Sequence, residues 1–96
     1  MNPTMEKFGY PDTLIREFDN WVVLMRPQQV TLGALVLVCK NRADTLSQIS
    51  PAAFAELKEI SGFIEALLRE SFHYDKLNYL MLMMVDRDVH VHVLPR

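Results

Sequence analysis

The residues best suited to chemistry lie at the end of the chain, in Asp88-Val89-His90-Val91-His92-Val93-Leu94-Pro95-Arg96. Polar and apolar residues alternate strictly from Asp88 to Val93. Successive side chains on a strand point to opposite faces, so Asp88, His90 and His92 share one face and the three valines the other. Two imidazoles then stand about 7 Å apart along the strand, with a carboxylate beside them. Imidazole titrates near neutral pH, attacks electrophiles and binds metals, so the row could supply a nucleophile, a phosphate contact or metal ligands. The same alternation is what any half-exposed strand shows, with histidine as its solvated polar residue. A metal site needs further ligands, and His73 is the one other histidine. The expected placement has the valines in the core and the Asp88, His90 and His92 row facing a groove.

Such a row needs a sheet to hold it and a core beneath its valines. A chain of 96 residues suits one domain with a single core. With 50% hydrophobic and 23% charged residues the composition is that of a soluble globular domain. The net charge of -2 gives no basic excess, so nucleic acid is not the expected partner. A lone cysteine, Cys39, excludes an internal disulfide and a CxxC zinc site. Its apolar neighbours predict a buried, inert thiol. No apolar run reaches the roughly 18 residues of a membrane span, and Met1-Asn-Pro-Thr4 does not read as a signal peptide. The expectation is a cytoplasmic protein with no membrane partner.

Residues 1–19 read as a loose lead-in containing Pro3, Gly9 and Pro11, with a short turn from Asp12 or Thr13 to Phe18. Asn20 to Met25 reads as a strand, its end marked by Pro27. Ala34 to Cys39 is continuously apolar and short, which predicts a strand buried on both faces and paired antiparallel with the first. Asp44 and Thr45 are candidate caps of a short turn. Ser50 is a good N-cap and Pro51 suits the first helical position. Phe54, Leu57, Ile60, Ile64, Leu67, Leu68 and Phe72 then recur at helical spacing, predicting a long helix that ends near His73. Leu77 to Met84 reads as a further strand with methionine core filler, and Asp88 to Leu94 as the last. This order predicts an α+β domain: one main helix, and a short second one, on an antiparallel sheet of about five strands.

The string His90-Val-His92-Val-Leu-Pro95-Arg96 resembles the second half and tail of the histidine triad (HIT) motif, in which three histidines alternate with hydrophobic residues before a Pro-Arg pair. The likeness spans about residues 20 to 96, because Trp21 to Met25, the loop to Gly33, Leu35 to Cys39, the long helix and the strand from Leu77 follow the family's order and spacing. It implies a HIT-like fold, a homodimer, and hydrolysis or nucleotidyl transfer at the α-phosphate of a nucleotide conjugate. The substrate class would be a dinucleoside polyphosphate, such as a diadenosine polyphosphate, or a nucleoside phosphoramidate. His90 matches the nucleophile that forms a nucleotidyl-histidine, and His92 the histidine that contacts the phosphate oxygens. Leu24, Arg26 and Gly33 fall in the nucleotide-binding region. The histidine mechanism requires no cofactor, although a divalent metal could accompany a polyphosphate.

The departures from the family pattern have chemical consequences. Asp88 stands at the first triad position, and an anion beside a phosphate is repulsive unless turned away or protonated. Val85 stands where a hydroxyl donor is usual, and Ala34 where many members carry another histidine. Arg26 replaces an Asp or Asn that accepts from the ribose hydroxyls, and a guanidinium has no acceptor. It could instead meet a phosphate, or be a solvated residue at the strand end. Members usually continue past the Pro-Arg pair, so the resemblance implies either a longer natural chain after Arg96 or a member without that segment. These departures keep two alternatives open: a non-catalytic nucleotide-binding module of the same fold, and a small metal-binding domain using His90 and His92.

Overall fold

The computed structural model describes residues 2–29, 32–82 and 86–96. Its elements in chain order are α1 (Pro3–Lys7), β1 (Leu14–Glu17), β2 (Trp21–Met25), β3 (Leu35–Cys39), a 3₁₀ turn (Leu46–Gln48), α2 (Pro51–Ser71), β4 (Leu77–Leu80) and β5 (His90–Pro95). The five strands form one antiparallel sheet in the order β1-β2-β3-β5-β4. The fold is therefore α+β with one main helix. No helix among the described residues is long and apolar enough to cross a membrane.

The helix begins where its chemistry dictates. Ser50 Oγ accepts from the Ala53 amide at 3.1 Å, satisfying one of the donors a helix start leaves open, and Pro51 follows at N1. The helix runs for 21 residues and ends as Phe72 becomes extended, its amide closing the last turn on the Leu68 carbonyl at 2.7 Å. Ala53, Ile60, Ile64 and Leu68 are its buried stripe. Phe54, expected on that stripe, is 44% exposed; Ala53 takes the inward place, and its carbonyl accepts from Trp21 Nε1 at 2.9 Å. The stripe packs on Trp21, Val23, Leu35, Leu37, Cys39, Val89, Val91 and Val93 from one face of the sheet. Cys39 is fully buried there, and burial pushes its thiol pKa up, as expected of an inert cysteine.

The lead-in is more ordered than its sequence suggests. Asn2 caps α1 by accepting from the Met5 amide and also donates to the Cys39 carbonyl, both at 2.9 Å. Where a turn was expected up to Phe18, β1 pairs with β2. Its register shifts between Leu14 and Arg16, so the period-two pattern that betrays a strand is broken at its centre. Of the strand expected over Leu77 to Met84, β4 occupies Leu77–Leu80; Met83 and Met84 lie outside the described residues, as does Val85. The last strand starts at His90 rather than Asp88, although the Val89 carbonyl still accepts from the Cys39 amide at 2.9 Å.

The second face of the sheet carries cross-strand rows fixed by register. Val22, Val38 and His90 form one row, and Leu24, Val36 and His92 the next. Met5 and Phe8 cover these rows, with Tyr10 and Leu14 packed at the side. At one end, the β2–β3 loop is shaped by the Gln29 side chain. Its Oε1 accepts from the amides of Gly33 (2.9 Å) and Ala34 (3.1 Å), and its Nε2 donates to the carbonyls of Arg26 (2.7 Å) and Ala34 (3.0 Å). Gly33 has φ +83°, and a Cβ there would meet the Phe72 ring at 3.0 Å, so glycine permits both the turn and the contact with the end of α2.

Candidate functional site

β5 sets His90 and His92 on the face away from α2, while Val89, Val91 and Val93 enter the α2-side core. Strand alternation produces this division, and it agrees with the pattern read in the sequence. Asp88 lies just ahead of the strand, and its carboxylate accepts from the Thr4 amide at 3.2 Å. That charge is engaged by α1. The Asp88 backbone does something different: its carbonyl lies 2.7 Å from His90 Nδ1. A carbonyl can only accept, so Nδ1 carries the proton and the neutral ring leaves its lone pair at Nε2.

The environment of that nitrogen differs from the expected groove. His90 is 1% exposed. Phe8 covers it, with ring centroids 6.2 Å apart, and stands edge-on to His92 at 5.6 Å. The reason is that Val22, Leu24, Val36 and Val38 make this second face apolar as well, and an apolar surface draws a cover. His90 Nε2 lies 4.0 Å from Asp86 Oδ2, too far for a hydrogen bond. Lys7 Nζ holds the Asp86 carboxylate at 2.9 and 3.1 Å. An open cleft of about 620 Å³ adjoins this corner, lined by Lys7, Lys40, Arg42 and Arg87 together with Asp44, Asp86 and Asp88.

His92 sits edge-on to His90, with centroids 5.2 Å apart. It is half-buried, and its Nδ1 has no hydrogen-bond partner. Burial, then the positive charge of Arg26, then His90 hold its pKa below the ordinary histidine value. Near neutral pH it is therefore an uncharged ring with one N–H to donate. Arg26 follows β2, and its amide donates to the Ala34 carbonyl at 3.1 Å, continuing the pairing past Met25. Its Nε is also buried without a partner.

The structure thus brings Asp88, His90, His92 and Arg26 to one side of the sheet. Leu24 shares the His92 row but is fully buried. Gly33 is turned towards Phe72 and Leu68 at the α2 end. Lys7, Phe8 and Asp86 were not apparent as site neighbours in the sequence. Lys7 and Asp86 are 79 residues apart, and no local pattern links them. Among the described residues, no three His, Cys, Asp or Glu side chains converge as a metal-binding group. No protein-family model matches this chain, and no curated protein matches it either.

Proposed function

We propose that the chain is a HIT-like nucleotide-phosphate hydrolase or nucleotidyl transferase that acts at the α-phosphate of a dinucleoside polyphosphate or nucleoside phosphoramidate, with His90 as nucleophile. The observation that carries this reading is the 2.7 Å contact from His90 Nδ1 to the Asp88 carbonyl. It fixes the tautomer in which Nε2 can attack, and it stabilises the cationic ring formed when Nε2 bonds to phosphorus. As the Nε2–P bond forms, the bond from phosphorus to the leaving group breaks, and the leaving group departs with a proton from solvent. Water then attacks phosphorus, the N–P bond breaks, and nucleoside monophosphate is released with His90 restored. His92 donates its N–H to a phosphate oxygen, where negative charge builds. Asp88 acts through its backbone carbonyl, while its carboxylate is occupied by the Thr4 amide. The mechanism uses no cofactor, and a divalent ion would enter only with a polyphosphate substrate. A homodimer belongs to the same reading: β4 is an edge strand, and Tyr79 and Leu80 on it are each 41% exposed.

A second reading, a nucleotide-binding module without turnover, is favoured by the burial of His90 and by the Lys7–Asp86 pair beside its Nε2. Release of nucleoside monophosphate from a fluorogenic phosphoramidate separates the two, with folding checked by circular dichroism. His90→Ala is expected to abolish turnover with the fold intact. Asp88→His, which removes an anion and completes the triad, is expected to raise it. Wild type and Asp88→His that bind nucleotide without turnover establish the binding module, and His90→Ala with wild-type turnover refutes the mechanism.

A further inference from the structure

We propose that Arg26 holds a second phosphate of the substrate, at the end of the histidine face remote from Asp88. This deepens the reading above and rests on its placing of a phosphate at His90 and His92.

The rows of the second face continue beyond those already described. Met25 pairs with Leu35 and Leu35 with Val93, so Arg26, Ala34 and Leu94 form the next row after Leu24, Val36 and His92. Successive rows are about 7 Å apart. The cover formed by Met5 and Phe8 lies over the first two rows on β2 and β3. In the third row Arg26 and Leu94 are half-buried, while Ala34 between them is fully buried.

Two buried polar atoms on this side have no partner, Arg26 Nε and His92 Nδ1. Among the described residues no carboxylate forms an ion pair with Arg26. An unpartnered buried donor is costly, and more so on a charged group. The Gln29 side chain fixes the Arg26 carbonyl and the far side of the loop, so the guanidinium is presented from an anchored backbone. A guanidinium offers a planar fork of donors that fits phosphate oxygens, and a neutral His92 next to it adds a donor without adding charge. The missing partner is an anion supplied by the ligand. A phosphate at His90 and another at Arg26 define a doubly phosphorylated substrate. The second phosphate can come from further along a polyphosphate chain or from the sugar.

Calorimetric titration with adenosine 5′-monophosphate, adenosine 5′-diphosphate and adenosine 3′,5′-bisphosphate tests this on wild type, Arg26→Ala and Arg26→Lys. Wild type is expected to bind at least one doubly phosphorylated probe about tenfold more tightly than the monophosphate, the scale of one charge-assisted contact. Arg26→Ala is expected to erase that preference, the ratio of doubly to singly phosphorylated affinity falling to about one, and Arg26→Lys to restore part of it. Preference for the diphosphate assigns the subsite to the chain, and preference for the bisphosphate to the sugar. Wild type with no preference for a second phosphate, or Arg26→Ala with the preference intact, overturns the proposal. Binding is read without turnover, so Arg26-dependent binding by a protein that never turns over refutes the catalytic reading alone. Arg26-independent binding by an active enzyme refutes this inference alone. Wild type that binds none of the three probes refutes both. As a control on geometry, the NMR titration midpoint of His92 rises in Arg26→Ala if the two groups are neighbours.

Discussion

The two faces of the sheet are closed in different ways. On one, a 21-residue helix lays Ala53, Ile60, Ile64 and Leu68 against an unbroken apolar surface. On the other, a five-residue helix and Phe8 cover apolar rows that end in two histidines, with Arg26 in the row beyond. Both faces hide side chains from water, so burial alone does not tell core from site. The distinction lies in polar atoms: the second face holds Arg26 Nε and His92 Nδ1 without partners. A face built only for stability would not retain such atoms, because each one opposes folding.

This contrast can be broken most directly by truncation. Ile64→Ala, on the helix face, is expected to cost about 2 to 5 kcal/mol in urea unfolding. Phe8→Ala is expected to cost less than Ile64→Ala, because it thins a short cover rather than opening the main core. It is also expected to speed modification of His90 by diethyl pyrocarbonate. Equal or greater destabilisation by Phe8→Ala, with His90 still protected, would make the two faces alike.

A smaller change sharpens the same contrast. His92→Ala is expected to lower turnover by a factor of about 10² to 10³, the effect of losing one oxyanion donor. Its melting temperature should stay close to wild type, since the deletion also removes a buried atom that has no partner. Unfolding with unchanged residual turnover would instead mark His92 as a packing residue.

The smallest expected effect is on pH dependence. The pKa of folded-state His92 lies below its ordinary value of 6.5, chiefly through burial. Between that lowered value and about 6.5 the unfolded chain binds the proton and the folded chain does not, so stability falls as pH drops through this window. Above it both states are neutral at this residue and the slope vanishes. His92→Gln should flatten the slope in pH-resolved denaturation, and an unchanged slope would place its origin elsewhere.

What could be read in the sequence follows from the range of the interactions involved. The shared face of His90 and His92 was legible because alternation is a property of adjacent residues. The start of α2 was legible because Ser50 and Pro51 act within one turn. β1 was not, since the bulge between Leu14 and Arg16 interrupts the alternation that would have revealed it. Phe54 misled because a large apolar residue sat one position from the true stripe at Ala53. The cover over His90 was invisible for a different reason. Thr4 meets Asp88 across 84 residues and Lys7 meets Asp86 across 79, and only the folded sheet brings these ends together. Arg26 could be named as a candidate, but its lack of a partner is a property of its surroundings.

Gln29 gives the β2–β3 loop an unusual dependence on a single functional group. One amide serves four backbone contacts, accepting at its oxygen and donating at its nitrogen. The loop is therefore held by the polarity of that amide more than by its bulk. Exchanging NH₂ for O⁻, as in Gln29→Glu, keeps the shape almost unchanged yet turns the donating end into a second acceptor facing the carbonyls of Arg26 and Ala34. Sterically it is the mildest substitution available, and electrically it reverses half of the clasp. At this position chemical similarity and structural tolerance part company, and a substitution scale based on size would rank the residue as replaceable when its hydrogen-bond pattern says otherwise.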